Sequence, residues 1–235
     1  MAKMTLLAMT QNILSALDSD PVSDIDETVE STQVVEIIRE SFYELMASRN
    51  WGFLRTLTNL TGLGDTSNPT KMQIPNNLNK ILWVKYNNVE VAYLTPEDFH
   101  DKVSSRTPSA GLVDSNGYGL SVDPSYWTTY DDKYIIFDSR DSSVDNTLQQ
   151  SKSSVYGVKE ATFTLSNVFT PDVPEKMFPL LLSEAKAQAF VNLKQQSNVR
   201  EERKAQRARV ALRNEAWRTE KGEPRFNTRV NYGRK

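Results

Sequence analysis

The sequence predicts an α+β fold: a helical bundle built from N-terminal helices and a long C-terminal helix, with an inserted small antiparallel β-domain and an extended C-terminal arm. Three observations carry this expectation. Apolar residues recur at spacings of three and four in the first quarter of the chain. They alternate with period two through the middle, and they return to helical spacing after residue 177. The expected division is 1–58 for the N-terminal helices, 59–174 for the β-rich insert with its long loops, 175–222 for the long helix that completes the helical domain, and 223–235 for the arm.

Each element has a local reason. Leu6, Met9, Ile13, Leu14 and Leu17 line one face of a short helix. Pro21 ends it, because proline donates no backbone hydrogen bond and disfavours helix at the residue before it. Val34, Ile38, Phe42, Leu45 and Met46 line a second helix, with Asp26, Glu27 and Glu30 near its positive end. Trp51, Phe53 and Leu54 follow as core anchors, since large apolar side chains mostly serve burial. Residues 59–70 are rich in turn formers. Two alternating runs, 81–86 and 89–94, flank Asn87-Asn88 and read as a β-hairpin. Thr95-Pro96-Glu97-Asp98 starts a short helix: Thr95 caps, Pro96 suits the first position, and the acids suit the dipole.

Residues 104–125 read as loop. A second hairpin is expected at 126–137 around Asp131-Asp132, and a further strand at 158–165. Thr170–Pro174 reads as an extended linker. From Phe178 to Lys221 the pattern predicts one unbroken helix, about 60 Å long at ~1.5 Å per residue. The expected helical core comprises Ile38, Phe42, Leu45, Trp51, Phe53, Leu182 and Phe190.

Composition excludes several chemistries. The chain has 235 residues, no cysteine, one histidine and a net charge of -2. There is no thiolate nucleophile, no Cys-ligated metal and no two-His metal site on one chain. No run approaches the ~18 apolar residues of a membrane span, so no membrane is expected. The apolar start is interrupted by Thr10, Gln11 and Asn12, unlike a signal peptide, which leaves an intracellular or virion protein as the expectation. Gly62-Leu-Gly64 and Gly117-Tyr-Gly119 lack the other residues of a phosphate loop and read as turns. Asp138, Asp141 and Asp145 lack the spacing of a calcium loop and read as solvated loop. No cofactor, metal or catalytic residue is expected. A hydrolase acting through His100 would have no companion motif.

The net charge hides an asymmetry. Residues 1–193 hold 15 Lys/Arg against 25 Asp/Glu, a net -10, and residues 194–235 hold 13 against 5, a net +8. Arg200, Arg203, Lys204, Arg207, Arg209 and Arg213 lie on the predicted long helix, a basic surface suited to meeting a partner. They could neutralise phosphates, and DNA binding by this segment is the alternative reading. Glu201, Glu202 and Glu215 interleave with them, and no base-reading motif accompanies them.

The N-terminal block NILSALDSDPVSDIDETVESTQVVEIIRESFYELMASRNWGFL resembles the opening of the head-to-tail adaptors of short-tailed bacteriophages, the tail tubular protein A family. The resemblance lies in Pro21-Val22-Ser23-Asp24-Ile25 after a first helix, and in Ser48-Arg49-Asn50-Trp51-Gly52-Phe53 after a second. IPNNLNKILWVKY and DDKYIIFD look like the family's inserted β-region, and FPLLLSEAKAQAFVNLKQ looks like its last core helix. The segment after Lys194 is longer than in the smaller members.

The resemblance implies a structural virion protein, made in the host cytoplasm and placed at the head–tail junction. Such adaptors form a homo-oligomeric ring, usually of twelve subunits, between the portal and the tail nozzle. They extend the channel through which genomic DNA passes without sequence-specific contact. Their C-terminal segments clasp the portal. Here that arm offers Phe226 and Tyr232 as aromatic anchors, Arg225, Arg229 and Arg234 as partners for portal carboxylates, and Asn227 beside them.

Overall fold

The computed structural model describes residues 3–49, 51–65, 67–106, 113–143 and 146–220. The chain opens with helices α1 (Leu6–Ala16) and α2 (Val29–Ala47) and a single 3-10 turn, Gly52–Leu54. Strands β1 (Arg55–Asn59), β2 (Thr61–Gly62), β3 (Lys71–Gln73), β4 (Leu78–Tyr86) and β5 (Val89–Tyr93) follow. Next come α3 (Pro96–Ser104), β6 (Gly119–Leu120), β7 (Tyr126–Thr128), β8 (Tyr134–Phe137) and β9 (Ser139–Arg140). The described chain finishes with α4 (Asn146–Lys152), β10 (Ser153–Lys159), α5 (Phe178–Lys194) and α6 (Val199–Glu220). Two compact units result: one from the residues up to Phe53 together with those from Ala161 on, the other from Leu54–Glu160. The expected limits of the insert, 59 and 174, thus differ from 54 and 160.

The expected fold, a helical bundle with a small antiparallel β-domain, is corrected. The protein is α+β with a large mixed sheet of eight strands, in the order β1-β10-β4-β5-β7-β8-β3-β2. The sheet is nearly closed and barrel-like. Its two end strands, β1 and β2, are consecutive in the chain and joined by Leu60 alone. Leu60 is fully buried, and its N–H donates to the Ser153 carbonyl at 3.1 Å. The sheet is mixed because β5 and β7 run parallel, pairing Ala92 with Tyr126 and Tyr93 with Trp127. A parallel pair needs a crossover connection, and α3 lies within it.

One face of the sheet closes over Leu60, Met72, Val84, Tyr86, Val91 and Phe137. Ile136 points the other way and packs with Phe99 and Val103 of α3. Both expected hairpins form. In the first, Asn87 and Asn88 take φ of 47° and 64°, the left-handed pair that matches strand twist. Strand β1 was not expected, because Leu57, the central apolar side chain of this sheet-end strand, is exposed and RTLTN carries no apolar alternation.

The strand expected at 158–165 is shifted. Strand β10 begins at Ser153 and ends at Lys159, the Glu160 N–H still donates to the Asn77 carbonyl at 2.8 Å, and the chain beyond belongs to no strand. Phe163 instead packs its ring at a tilt against Phe42, with centroids 5.4 Å apart, and edge-to-face against Phe169 at 4.8 Å. Period two therefore serves here to lay an extended strap along the helices. The strap also caps them. Leu6 and Leu7 donate their free N-terminal N–H groups to the carbonyls of Phe169 and Asn167, at 2.7 and 3.3 Å. Asn167 accepts from the Ile25 N–H at 3.1 Å and donates to Asp24 at 3.0 Å.

The single long helix is a second correction. It breaks at 195–198, where Gln195 adopts φ 53°, and α6 packs back along α5. No glycine or proline marks the break. The signal is Asn198, which caps α6: its side chain accepts from the Glu201 N–H at 3.3 Å and its carbonyl from the Glu202 N–H at 3.0 Å. Helix α5 packs on both α1 and α2. The start of α2 is closed by a reciprocal pair, in which Thr28 and Ser31 each accept the other's backbone N–H at 3.0 Å.

Gly157 sits at a register shift between β10 and β4. A Cβ there would overlap the Lys80 carbonyl oxygen and Leu78. Gly157→Ala should therefore cost about 1–3 kcal/mol, the usual range for overpacking. Urea unfolding of the full chain checks it, and an unchanged midpoint would contradict the close approach.

Candidate functional site

Helix α6 concentrates the chain's exposed positive charge. Glu201 and Glu202 occupy its first turn, where the dipole favours them, and cations follow. Among the described residues, Ala205 and Leu212, seven residues apart, are its buried apolar positions. That narrow seam leaves Arg200, Arg203, Lys204, Arg207, Arg209 and Arg213 all exposed. Two of them have partners: Lys204 pairs with Glu201, and Arg209 with Glu184. Among the described residues, Arg200, Arg203, Arg207 and Arg213 make no ion pair.

Arg209 is the cation that ties α6 to the interior. Its Nε and guanidinium nitrogen reach Glu184 Oε1 at 2.9 and 2.7 Å. Glu184 is buried on α5 between the apolar Leu180, Leu181 and Leu182 and the buried Ala185. Gln188, one turn on, donates to Glu44 at 3.4 Å and accepts from Ser41 at 2.8 Å. Burial pushes the Glu184 carboxyl above its usual range, Arg209 draws it back, and Glu44 adds to the rise. The sequence signal for this site is the lone acid in FPLLLSEAKAQAF.

Beside this network lies a cleft of about 310 Å³, formed where the end of α2 meets α6. Leu45, Trp51 and Val210 supply apolar wall, and Arg49, Arg209 and Arg213 supply charge. The Arg49 guanidinium lies 5.7 Å from the Trp51 ring centre and donates weakly to the Arg213 carbonyl at 3.5 Å. The Trp51 indole N–H donates to the Leu45 carbonyl at 2.9 Å, which fixes the ring. In the sequence Arg49 is marked only as part of the Ser48–Phe53 block.

The remaining expected residues fall as follows. Ile38, Phe42, Leu45, Trp51 and Leu182 are buried, and Phe53 and Phe190 are half-buried. Arg225, Phe226, Asn227, Arg229, Tyr232 and Arg234 lie outside the described residues. In the sheet unit His100 is exposed and borders a cavity of about 400 Å³ with Ser104, Asp114 and Tyr118. Among the described residues none hydrogen-bonds to its imidazole. Asp138, read as loop, is instead buried: it accepts from the Ser125 and Tyr126 N–H groups at 2.9 Å and pairs with Arg106. Among the described residues no group of His, Asp or Glu is placed to hold a metal, and no helix is long and apolar enough to cross a membrane.

No protein-family model matches this chain, and no curated protein matches it.

Glu184 takes up its proton more readily folded than unfolded. Between its unfolded and folded pKa the native state binds more protons, so stability falls as pH rises through that window. Glu184→Gln should remove that slope: its Tm should match the wild type below the ordinary value of 4.5 and equal or exceed it at neutral pH. Arg209→Ala leaves the buried carboxylate without its cation and should lose about 1–3 kcal/mol at neutral pH. Thermal melts of both variants at acid and neutral pH check the pair.

Proposed function

We propose that this chain is a non-enzymatic virion protein: a head-to-tail adaptor of a short-tailed bacteriophage. In this reading it forms a ring between the portal and the tail nozzle and extends the DNA channel for genome retention and ejection. The observation that carries the reading is the basic face of α6. Six cations within fourteen residues of one helix, Arg200, Arg203, Lys204, Arg207, Arg209 and Arg213, are exposed, and four of them make no ion pair among the described residues. A second feature supports it. The block around Trp51 ends the first helical segment where the 54–160 unit begins, as the family resemblance leads one to expect of an inserted region.

Such a helix suits delivery of the segment that follows it to a neighbouring protein. Residues 221–235 carry Phe226 and Tyr232 among basic side chains, a composition suited to an acidic protein surface with aromatic pockets. The same unpaired arginines favour the second reading, in which α6 binds DNA through phosphates.

The purified protein should bind its cognate portal, and deletion of 223–235 should abolish that binding. Undiminished docking of the truncated chain would remove the arm from the proposal. Tight, salt-sensitive binding of duplex DNA by the free protein would favour the second reading, and no binding at low salt would eliminate it.

A further inference from the structure

From residue 4 to residue 38 the chain holds no lysine or arginine. Asp18, Asp20, Asp24, Asp26, Glu27 and Glu30 are all exposed within that stretch. They are not a slack loop. Glu27 accepts from the Ser23 and Asp24 N–H groups at 2.6 and 3.3 Å, and Asn167 holds Asp24. Among these acids stands Val29, 76% exposed at the first turn of α2.

The cleft at the other end of α2 has the complementary character. Arg49, Arg209 and Arg213 surround it, and among the described residues only Arg209 of the three has an ion-pair partner, Glu184. Val210, 43% exposed, completes an apolar wall with Leu45 and Trp51. The space suits one apolar side chain flanked by carboxylates.

The two features cannot meet within one chain. Val29 begins α2 and Leu45 lies sixteen residues along the same helix, about 24 Å away at ~1.5 Å per residue. We infer that the cleft of one copy receives the acidic 18–30 segment of a second copy, with Val29 on the Leu45–Trp51–Val210 wall and the carboxylates facing Arg49 and Arg213. The inference rests on the ring-forming reading above and names the subunit contact that reading needs. Donor and acceptor surfaces differ, so the contact is head-to-tail and repeats in one direction until it closes. The chain's own arm is a poor occupant. Arg225, Arg229 and Arg234 would meet like charge there. Nucleic acid would match the arginines and leave the apolar wall uncovered.

The chain has no cysteine, so single replacements report one contact each. Val29→Cys and Val210→Cys are made in separate full-length chains of different tag size, mixed and mildly oxidised. Val89→Cys, at a residue 65% exposed in the first hairpin, replaces Val29→Cys in a control mixture. The disulfide between Val29→Cys and Val210→Cys chains should form about tenfold faster than in the control, equivalent to about 1.4 kcal/mol of preference. Adding Arg213→Glu to the Val210→Cys chain should bring the rate down to the control, and high salt should slow it. Equal rates in the two mixtures would overturn the contact, as would loss of the cross-link to competing duplex DNA. A specific cross-link in a protein that fails to bind portal would leave the contact standing and sink the adaptor reading alone. Portal binding without the cross-link would do the reverse.

Discussion

The pairing of β1 with β10 is the constraint on which the rest of the structure depends. Arg55 lies opposite Val158 and Asn59 opposite Ser154, so the first and last strands of the sheet unit run antiparallel as neighbours. The chain enters that unit at Leu54 and leaves it at Glu160, side by side. Only because entry and exit are adjacent can a hundred-residue sheet be inserted without separating the flanking segments. Residues before Phe53 and after Ala161 then rejoin as one helical unit. Strand β10 carries this on both edges: it also pairs with β4, through a register shift at Gly157 that a side chain would obstruct.

Within the helical unit, the returning chain is fixed by polar detail more than by regular structure. The strap around Phe163–Phe169 takes the free N–H groups at the start of α1 and holds the acidic loop through Asn167. At the other end of the unit, Glu184 is drawn into the interior and offset by an arginine from α6. Both devices orient charge. One displays carboxylates at the beginning of α2, and the other anchors a cationic helix beside its end. A net charge of -2 thus conceals two ordered surfaces of opposite sign about one helix length apart.

Elements with local causes were legible. Helices α1, α2 and α3 follow from apolar spacing and their breakers or caps, and the Asn87-Asn88 turn from residues that tolerate positive φ. The identity of the exposed cations was legible too. Their pairing was not: nothing near Arg209 in sequence announces Glu184, which lies 25 residues away. The break between α5 and α6 was signalled only by Asn198, because Gln195 enters the left-handed region without a glycine. Trp51 reads as a core anchor and Arg49 as part of the same Ser48–Phe53 block, and only the return of α6 makes them walls of a cleft.

By itself the sequence determined local conformation, the absence of cysteine chemistry and the split of charge between the body and the segment after Lys194. Tertiary structure alone decided that the β-region is a nearly closed eight-stranded sheet. Strands such as Arg55–Asn59 have no periodicity to read, since their order comes from hydrogen bonds to residues about a hundred positions away. The parallel pairing of β5 with β7 and the closure through Leu60 depend in the same way on partners distant in the chain. Helices carry their hydrogen bonds within themselves and so declare their position locally, whereas a sheet exists only where remote segments meet.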